Sequence, residues 1–317
     1  MHLRRLHLAR HHGLRRLVSS LSVALLIAFT VQTAHATALD AKRIGAASGA
    51  TATITPDGVV HLGWSRTDVK VTVDGVLLPP AAGLGSWAAF SPMPHGQAMV
   101  MGDTVVFQDE VDAAMDAAFA HGLAVTALHN HFFYDTPSVF FMHLGGEGNP
   151  ETLAAGVKAV WAAIRAVRSA HPQPATGFGG VAPVFGRIDA DAVGKIVGQP
   201  ATDMQGVVKV TIGREGRMHG MKIGGSMGLT TWAAFSGSDQ AAVMDGDFIM
   251  KTAEVQPVLH ALRRAGIHIV ALHNHMMGGN PGFFFTHFWG KGTVRSLAGG
   301  FRAALDAQAV ADPAAAR

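Results

Sequence analysis

The sequence predicts an α+β protein built from two tandem, pseudo-symmetric β-β-α-β-β-α units, each with a mixed or antiparallel sheet and helices packed on one side. A long internal repeat leads to this prediction, together with strand-like alternation and helix-like spacing within each copy. Hydrophobic residues make up 49% of the chain and charged residues 15%, which is typical of globular domains. A length of 317 residues is enough for about two such domains.

The internal repeat is visible as identical words in the two halves of the chain. The sequence Trp-Ala-Ala-Phe occupies 87–90 and again 232–235, and Ala-Leu-His-Asn-His begins at both Ala127 and Ala271. Over 102–143 the offset to the second copy is a constant 144 residues, without a gap. A chance match of this length and regularity is excluded, so the two halves share one fold.

The repeat also predicts the domain boundaries. We expect a first α+β repeat at 37–181 and a second at 182–317, because residues 171–180 are rich in proline and glycine and have the composition of a linker. Two similar units in one chain can pack on each other as the subunits of a homodimer do. We therefore expect the two repeats to contact each other.

The elements of one unit can be predicted in order. Asp40 is the predicted N-cap of a short first helix, as Asp191 is in the second copy. Alternating residues around Asp74-Gly75 predict a hairpin within 59–76. Apolar spacing then predicts strands and helices in the order strand, strand, helix, strand, strand, helix. These elements are expected at 87–90, 98–107, 109–121, 124–133, 139–144 and 150–167.

The first 36 residues have the pattern of a secretory signal peptide. A basic start precedes an apolar run from Leu17 to Val31, and Ala34-His35-Ala36 has the small-x-small pattern of a cleavage site. We expect cleavage after Ala36 and a periplasmic or secreted product. The run is shorter than the ~20 residues of a membrane-spanning helix. No other long apolar stretch occurs, so no membrane association is expected after removal of the signal.

Charge and cysteine content exclude several classes of partner and site. The positive net charge comes from five arginines within 1–36; without them, 20 basic residues face 22 acidic ones. The remaining chain is near neutral and lacks the basic character of a nucleic-acid-binding protein. The chain contains no cysteine, which excludes disulfides, thiolate metal sites and cysteine nucleophiles.

Histidines recur in both copies at positions that can converge. Alternate residues of a strand point to the same side, so His129 and His131 share a face. If the hairpin turns near Thr136, His143 lies directly opposite His129, with the Cβ atoms about 4.5–5.5 Å apart. The corresponding residues of the second copy are His273, His275 and His287, with the turn near Asn280. The sequence therefore predicts two equivalent histidine triplets.

Three imidazoles on a rigid hairpin are a suitable set of ligands for zinc or another divalent transition metal, with one position left open. Recurrent carboxylates offer a fourth ligand: Asp103 and Asp247 in the Gly-Asp strand, and Glu110 and Glu254 at the start of the next helix. Zinc, manganese, iron and copper all fit such a set. Water at an open position of the metal has a pKa of about 7 and can act as a hydrolytic nucleophile.

The same histidines allow simpler interpretations. They can form a structural hydrogen-bond network within the sheet, or act as a metal-free acid and base, although phosphoester chemistry of that kind usually uses His-x-Thr or His-x-Ser pairs. Three hypotheses therefore stay open. The leading one is binding of a metal ion or small ligand; the others are a metal-dependent hydrolase and a non-catalytic structural or interaction module.

The shared motifs W-x-A-F, G-D, E-V, A-L-H-N-H and F-x-x-H resemble those of the LppY/LpqO-type family of exported bacterial proteins, here present as two tandem copies. The resemblance covers nearly all of the chain after the signal peptide. It implies export and a domain of unknown function, and it implies no particular activity. Many members are lipoproteins; this chain has no lipobox cysteine, so the resemblance does not imply a lipid anchor.

Overall fold

A continuous antiparallel sheet of 12 strands forms the centre of the protein in a computed structural model, which describes residues 37–312. The predicted signal peptide at 1–36 lies outside the described residues. The first repeat contains α1 (Ala41–Ser48), β1 (Ala52–Ile54), β2 (Val60–Ser65), β3 (Thr72–Val73), β4 (Val76–Leu77), α2 (Pro80–Gly83), β5 (Gly85–Pro92), β6 (Ala98–Phe107), α3 (Val111–Ala120), β7 (Ala124–Asn130), β8 (Asp135–Thr136), β9 (Val139–Gly148) and α4 (Pro150–Ala170).

The second repeat has the same sequence of elements, apart from the short α2. It contains α5 (Ala190–Val197), β10 (Ala201–Met204), β11 (Val207–Gly213), β12 (Gly216–Met218), β13 (Met221–Ile223), β14 (Thr230–Ser238), β15 (Ala241–Lys251), α6 (Thr252–Arg264), β16 (His268–Asn274), β17 (Gly279–Asn280), β18 (Phe283–Gly292) and α7 (Val294–Ala311). The strand order of the large sheet is β1-β2-β5-β6-β9-β7-β16-β18-β15-β14-β11-β10. The predicted α+β class with two tandem units is confirmed, and both units share one sheet.

Local sequence signals explain where the first helix of each repeat begins. The side chain of Asp40 caps α1, which ends at Gly49 in the left-handed region (φ 68°), where glycine is favoured. In the second repeat the cap is Asp189, whose carboxylate accepts from the backbone N–H of Ala192 at 3.1 Å. The prediction of Asp191 as the cap was wrong, because it lies inside the first turn, where its charge favours the helix dipole.

The long helices cover one face of the large sheet. Apolar side chains of α1 and α3–α7 form one buried cluster with alternate residues of the strands, such as Val106 and Met142. Trp161 of α4 is buried there and donates from Nε1 to Thr104 Oγ1 of β6 at 3.3 Å. The helices therefore lie on one side, and the opposite side of the sheet is free to carry other groups.

Two small sheets flank that opposite face. The sheet β4-β3-β8 belongs to the first repeat and β13-β12-β17 to the second. Beneath them lie two smaller apolar clusters, one around Phe107 and Phe141 and one around Ile249 and Phe285. The middle of the face, around β9, β7, β16 and β18, lies between these clusters.

The repeats meet at the centre of the large sheet, where β7 and β16 are antiparallel neighbours and Leu128 pairs with Leu272. These two leucines occupy equivalent positions in the repeats, so a pseudo-twofold axis passes between them. Helices α3 and α6 also meet, and Arg263 binds the carboxylate of Asp116 at 3.0 Å. Within the described residues, no helix is long and apolar enough to cross a membrane.

Candidate functional site

The histidine triplets lie on the sheet face opposite the long helices. In the first repeat, His143 of β9 lies opposite Ala127, and His129 of β7 lies opposite Phe141. The expected direct pairing of His129 with His143 was wrong, because the observed pairs centre the hairpin on residue 135 instead of Thr136, which moves the partner by two residues. Because side chains alternate along a strand, a register shift of two residues leaves each side chain on the same face of the sheet. His129 and His143 are therefore diagonal neighbours on one face.

The first triplet is compact. The ring centroid of His129 is 5.2 Å from that of His131 and 5.0 Å from that of His143. The Nε2 atoms of His129 and His143 are 2.9 Å apart. His131 follows the end of β7, and its ring stacks on Phe141 with the centroids 3.3 Å apart and the planes 8° from parallel. We call these three residues with Asp103 the first histidine site.

The second triplet repeats this arrangement. His287 lies opposite Ala271 on β16, and the centroid of His273 is 5.2 Å from those of both His275 and His287. His275 stacks on Phe285 at 3.6 Å, as His131 does on Phe141. With Asp247 these three residues form the second histidine site. Equivalent ring positions in two diverged copies show that the hairpin geometry determines the arrangement.

One ring in each site has its tautomer determined by the backbone. His129 Nδ1 is 3.2 Å from the carbonyl oxygen of Asn130, and His273 Nδ1 is 3.3 Å from that of Asn274. A carbonyl oxygen only accepts, so each Nδ1 must carry the proton. In the neutral ring Nε2 then carries a lone pair, and Nε2 of His129 faces Nε2 of His143. Such a backbone acceptor behind an imidazole is the usual support of a metal-ligating histidine.

An aspartate lies beside each triplet. Asp103 of β6 is directly opposite His143, and Asp247 of β15 is directly opposite His287. Both carboxylates are buried, and the Oδ1 atom of each has no hydrogen-bond partner in the structure. Asp103 Oδ1 is 3.9 Å from His143 Nε2, which is too long for a hydrogen bond. Each site therefore contains buried acceptor atoms that lack a donor.

Burial also changes the proton affinity of the site. Burial raises the pKa of Asp247, and the three neighbouring imidazoles act in the opposite direction. Burial lowers the pKa of His131 and of His275, against the attraction of the nearby aspartate. Each of these shifts favours the uncharged form. Uncharged imidazoles present lone pairs, which is the form that binds a metal.

The structure does not bring Glu110 to the histidines. It lies beyond the end of β6, and four residues of strand, about 13 Å, separate Asp103 from Phe107. Its buried carboxylate accepts from Arg66 at 2.7 and 2.9 Å, and also from Arg168 and from the backbone N–H of Phe107. These donors occupy both oxygens of the carboxylate. Its function in this structure is to hold an ion-pair network.

Glu254 has the corresponding place in the second repeat. Its carboxylate accepts from both terminal nitrogens of Arg214, from Gln308 and from the backbone N–H of Lys251. The sequence interpretation missed Arg66 and Arg214, although a signal existed. Residues 58–60 and 206–208 share Gly-Val-Val at an offset of 148, and the same offset relates the two arginines.

No set of three or more histidine, aspartate or glutamate side chains within 37–312 is already arranged to hold a metal ion. The Nε2 separation of 2.9 Å in the first site agrees with this, because it is the length of a hydrogen bond. Ligands about 2.1 Å from a tetrahedral zinc ion lie about 3.4 Å from each other. At this separation the two rings of the first site are hydrogen-bonded to each other.

The two sites are neighbours across the pseudo-twofold axis. Because Leu128 pairs with Leu272 in antiparallel strands, His129 and His273 each follow the pair by one residue and lie on the other face. Their relation is that of diagonal cross-strand neighbours, whose Cβ atoms are about 7–8 Å apart. The two histidine sites therefore lie side by side on one face in the middle of the sheet.

The sequence profile of the family described as Domain of Unknown Function (DUF1259) matches residues 42–163 and again 191–307. Both matches contain a complete histidine site. The match supports a tandem domain of unknown function, while the LppY/LpqO name is not confirmed by it. A comparison with curated proteins finds no match.

Among solved structures, the chain is similar to the trimeric bacterial microcompartment shell protein PduB, with 10% identity and a TM-score of 0.18 over 81% of this chain and 89% of that one. It is also similar to EtuB from Clostridium kluyveri, with 9% identity and a TM-score of 0.21 over 81% of this chain and 90% of that one. Both TM-scores are too low to support an argument about fold or function.

Proposed function

The chain belongs to the family described as Domain of Unknown Function (DUF1259), and we propose that it binds divalent transition-metal ions, zinc foremost, through its two histidine sites. The observation that carries this proposal is the buried, unpartnered Oδ1 of Asp103 and of Asp247, each beside three imidazoles. A buried acceptor without a donor costs about 1–3 kcal/mol, so a structure that keeps it in both copies needs a compensating partner.

A cation is the partner that fits this environment. His129 and His273 present Nε2 lone pairs because their Nδ1 atoms donate to the backbone, and the aspartate adds a negative oxygen. An anion or a neutral acceptor would add to the excess of acceptors. Imidazole nitrogen with one carboxylate oxygen is a ligand set that zinc and its neighbours in the transition series accept.

Binding requires a small rearrangement of the first site. The proton between His129 and His143 must leave, and the two Nε2 atoms must separate from 2.9 Å to about 3.4 Å for tetrahedral ligation. Both histidine side chains are half-buried, so rotation of a ring suffices without movement of the strands. Metal uptake is accordingly expected to release protons.

Titration of the purified chain without an affinity tag tests the proposal. We expect two equivalents of Co²⁺ or Zn²⁺ per chain, followed by cobalt absorption and by elemental analysis. The double variant His129→Ala/His143→Ala should bind one equivalent, and the corresponding variant His273→Ala/His287→Ala should also bind one. His121→Ala, an exposed histidine on α3's end, is the control and should bind two.

Less than a tenth of an equivalent after reconstitution would refute metal binding. In that case the alanine variants decide whether the histidines are structural, because a hydrogen-bond network would lower the unfolding free energy when removed. Metal-dependent hydrolysis stays a prediction, since it requires an open coordination position. The predicted signal peptide supports a role outside the cytoplasm, which cell fractionation with an antibody to the chain would test.

A further inference from the structure

The loop and hairpin beside the second histidine site carry sulfur ligands that the first repeat lacks. Met276 and Met277 directly follow His275, and Met218-His219-Gly220-Met221 forms the turn between β12 and β13. We call Met218, His219, Met221, Met276 and Met277 the methionine cluster. None of these residues belongs to the two histidine sites.

Backbone pairing brings the members of the cluster together. Met218 lies opposite both Met221 on β13 and Gly279 on β17. The Sδ atom of Met276 lies 3.5 Å from the position that a Cβ on Gly279 would occupy, and the ring of His219 lies 3.6 Å from that position on Gly278. The thioether of Met276, the imidazole of His219 and the backbone of Met218 therefore lie beside Gly278 and Gly279.

The methionines also share a side. Directly opposed residues of an antiparallel pair point to the same face, so Met218 and Met221 do, and Ile223 points the same way because it is two residues further along. Ile223 and Met276 both pack against the apolar cluster around Phe283 and Phe285. Met218, Met221 and Met276 thus lie on the side of the large sheet that carries the histidine sites.

The first repeat provides an internal comparison. Its turn Val73-Asp74-Gly75-Val76 has the same shape, with φ of 51° at Asp74 and 75° at Gly75, against 50° at His219 and 79° at Gly220. The register against the neighbouring short strand is also the same. Phe132 and Phe133 stand where the second repeat has Met276 and Met277. At each of these positions the first repeat has an apolar, aromatic or acidic residue where the second repeat has methionine or histidine.

Packing does not explain this exchange. Met277 is 87% exposed and Met221 is 70% exposed, so both contribute little buried apolar area. A methionine that fills a core is buried, as Met276 in part is. Exposed thioethers next to an imidazole are instead a soft ligand set, and soft sulfur ligands suit copper(I).

We propose that the methionine cluster binds one copper(I) ion through thioether sulfurs of Met218, Met276 and Met277 and the imidazole of His219. The site has its own ligands and goes beyond the proposed function of the histidine sites. It makes the two repeats chemically different, because Val73, Asp74, Phe132 and Phe133 occupy the corresponding positions of the first repeat.

The test is an anaerobic titration of the whole chain with copper(I) against a chromophoric copper(I) chelator, combined with the copper K-edge absorption spectrum. We expect one equivalent bound with sulfur scattering around copper. The variant Met218→Leu/Met276→Leu/Met277→Leu keeps side-chain volume and should fold. It should lose the sulfur scattering and at least tenfold in affinity, while the control Met99→Leu/Met101→Leu, two partly exposed methionines of β6, should change neither.

The test of copper(I) binding by the methionine cluster is independent of whether the histidine sites bind a metal ion. The triple leucine variant should still bind two equivalents of Co²⁺, and the histidine double variants should keep sulfur scattering around copper(I). Copper bound with nitrogen scattering alone in the unaltered chain, or an affinity unchanged in the leucine variant, would overturn the proposal. Failure of Co²⁺ binding with sulfur-bound copper(I) intact would overturn only the histidine sites.

Discussion

At the scale of single residues, Asp103 and Asp247 each bury one carboxylate oxygen that has no hydrogen-bond donor among the described residues. Asp247 is 5% exposed and has three imidazoles near it, yet its Oδ1 has no donor. A histidine in the neutral form gives this oxygen little compensation for lost water. The buried carboxylate therefore destabilises the metal-free protein, and under the proposed function a bound cation would offset that cost.

The variant Asp247→Asn tests whether the buried carboxylate lowers the stability of the metal-free protein and contributes to metal binding. We expect the metal-free variant to be more stable by about 1 kcal/mol, because an amide loses less on burial than a carboxylate. It should also bind one Co²⁺ instead of two. The measurement is urea unfolding with and without metal. Asp245→Asn, an exposed aspartate two residues earlier on β15, is the control and should change neither quantity. A less stable Asp247→Asn variant that still binds two ions would contradict this explanation.

At the scale of elements, the end of β6 is anchored by charge. Arg66 and Glu110 are both completely buried and form a bidentate pair, with Arg168 of α4 on the same carboxylate. The network connects the loop after β2, the start of α3 and the end of α4. Arg214, Glu254 and Gln308 make the corresponding connection in the second repeat.

Removing one partner of this network should be costly. Arg66→Met leaves part of the buried charge of Glu110 without compensation, and we expect a loss of about 3 kcal/mol in unfolding free energy. Arg43→Met breaks the exposed pair with Glu151, where Arg43 is 70% exposed, and should cost less than about 1 kcal/mol. Urea unfolding of both variants gives the comparison. Equal losses would show that burial of the Arg66 pair is unimportant.

The same scale shows what could be predicted from sequence. The repeat predicted the strands and the shared face of the histidines, because a strand has a period of two. The hairpin register was wrong by two residues, because the turn is centred one residue before Thr136, and a connection that also contains the short strand β8 gives no sequence signal for its centre. The carboxylate of Glu110 binds Arg66, which lies 44 residues away in the sequence. The residues around Glu110 do not indicate this partner, so the ion pair could not be predicted from the local sequence.

At the scale of the whole molecule, the repeats are joined by a continuous sheet and by helix contacts that are not symmetric. The side chain of Gln256 on α6 donates to the carbonyl oxygen of Val125 and accepts from its backbone N–H. Asp112 is the residue of the first repeat that corresponds to Gln256, and it forms an ion pair with Arg263 at 2.8 Å. The sequence predicted two packed units. It could not predict that one sheet runs through both, because edge strands β7 and β16 meet only in three dimensions.

His260 of α6 lies in this contact and stacks on Phe119 of α3, with the ring centroids 3.9 Å apart. Burial, and then the charge of Arg264, lower the pKa of His260, while Asp116 acts in the opposite direction. A histidine whose folded pKa is below its unfolded value of about 6.5 takes up its proton first in the unfolded chain. The unfolding free energy therefore falls as the pH falls through about 6.5.

His260→Leu should remove this part of the pH dependence. We expect the unfolding free energy of the variant, measured in urea between pH 5 and 8 on the metal-free protein, to fall less steeply below about pH 6.5 than that of the unaltered chain. His131 and His275 contribute to the remaining slope, since burial lowers the pKa of each. His121→Leu, an exposed residue at the end of α3, is the comparison and should keep the full slope. If His260→Leu has the same slope of unfolding free energy against pH as the unaltered chain, protonation of His260 does not make the contact between α3 and α6 depend on pH.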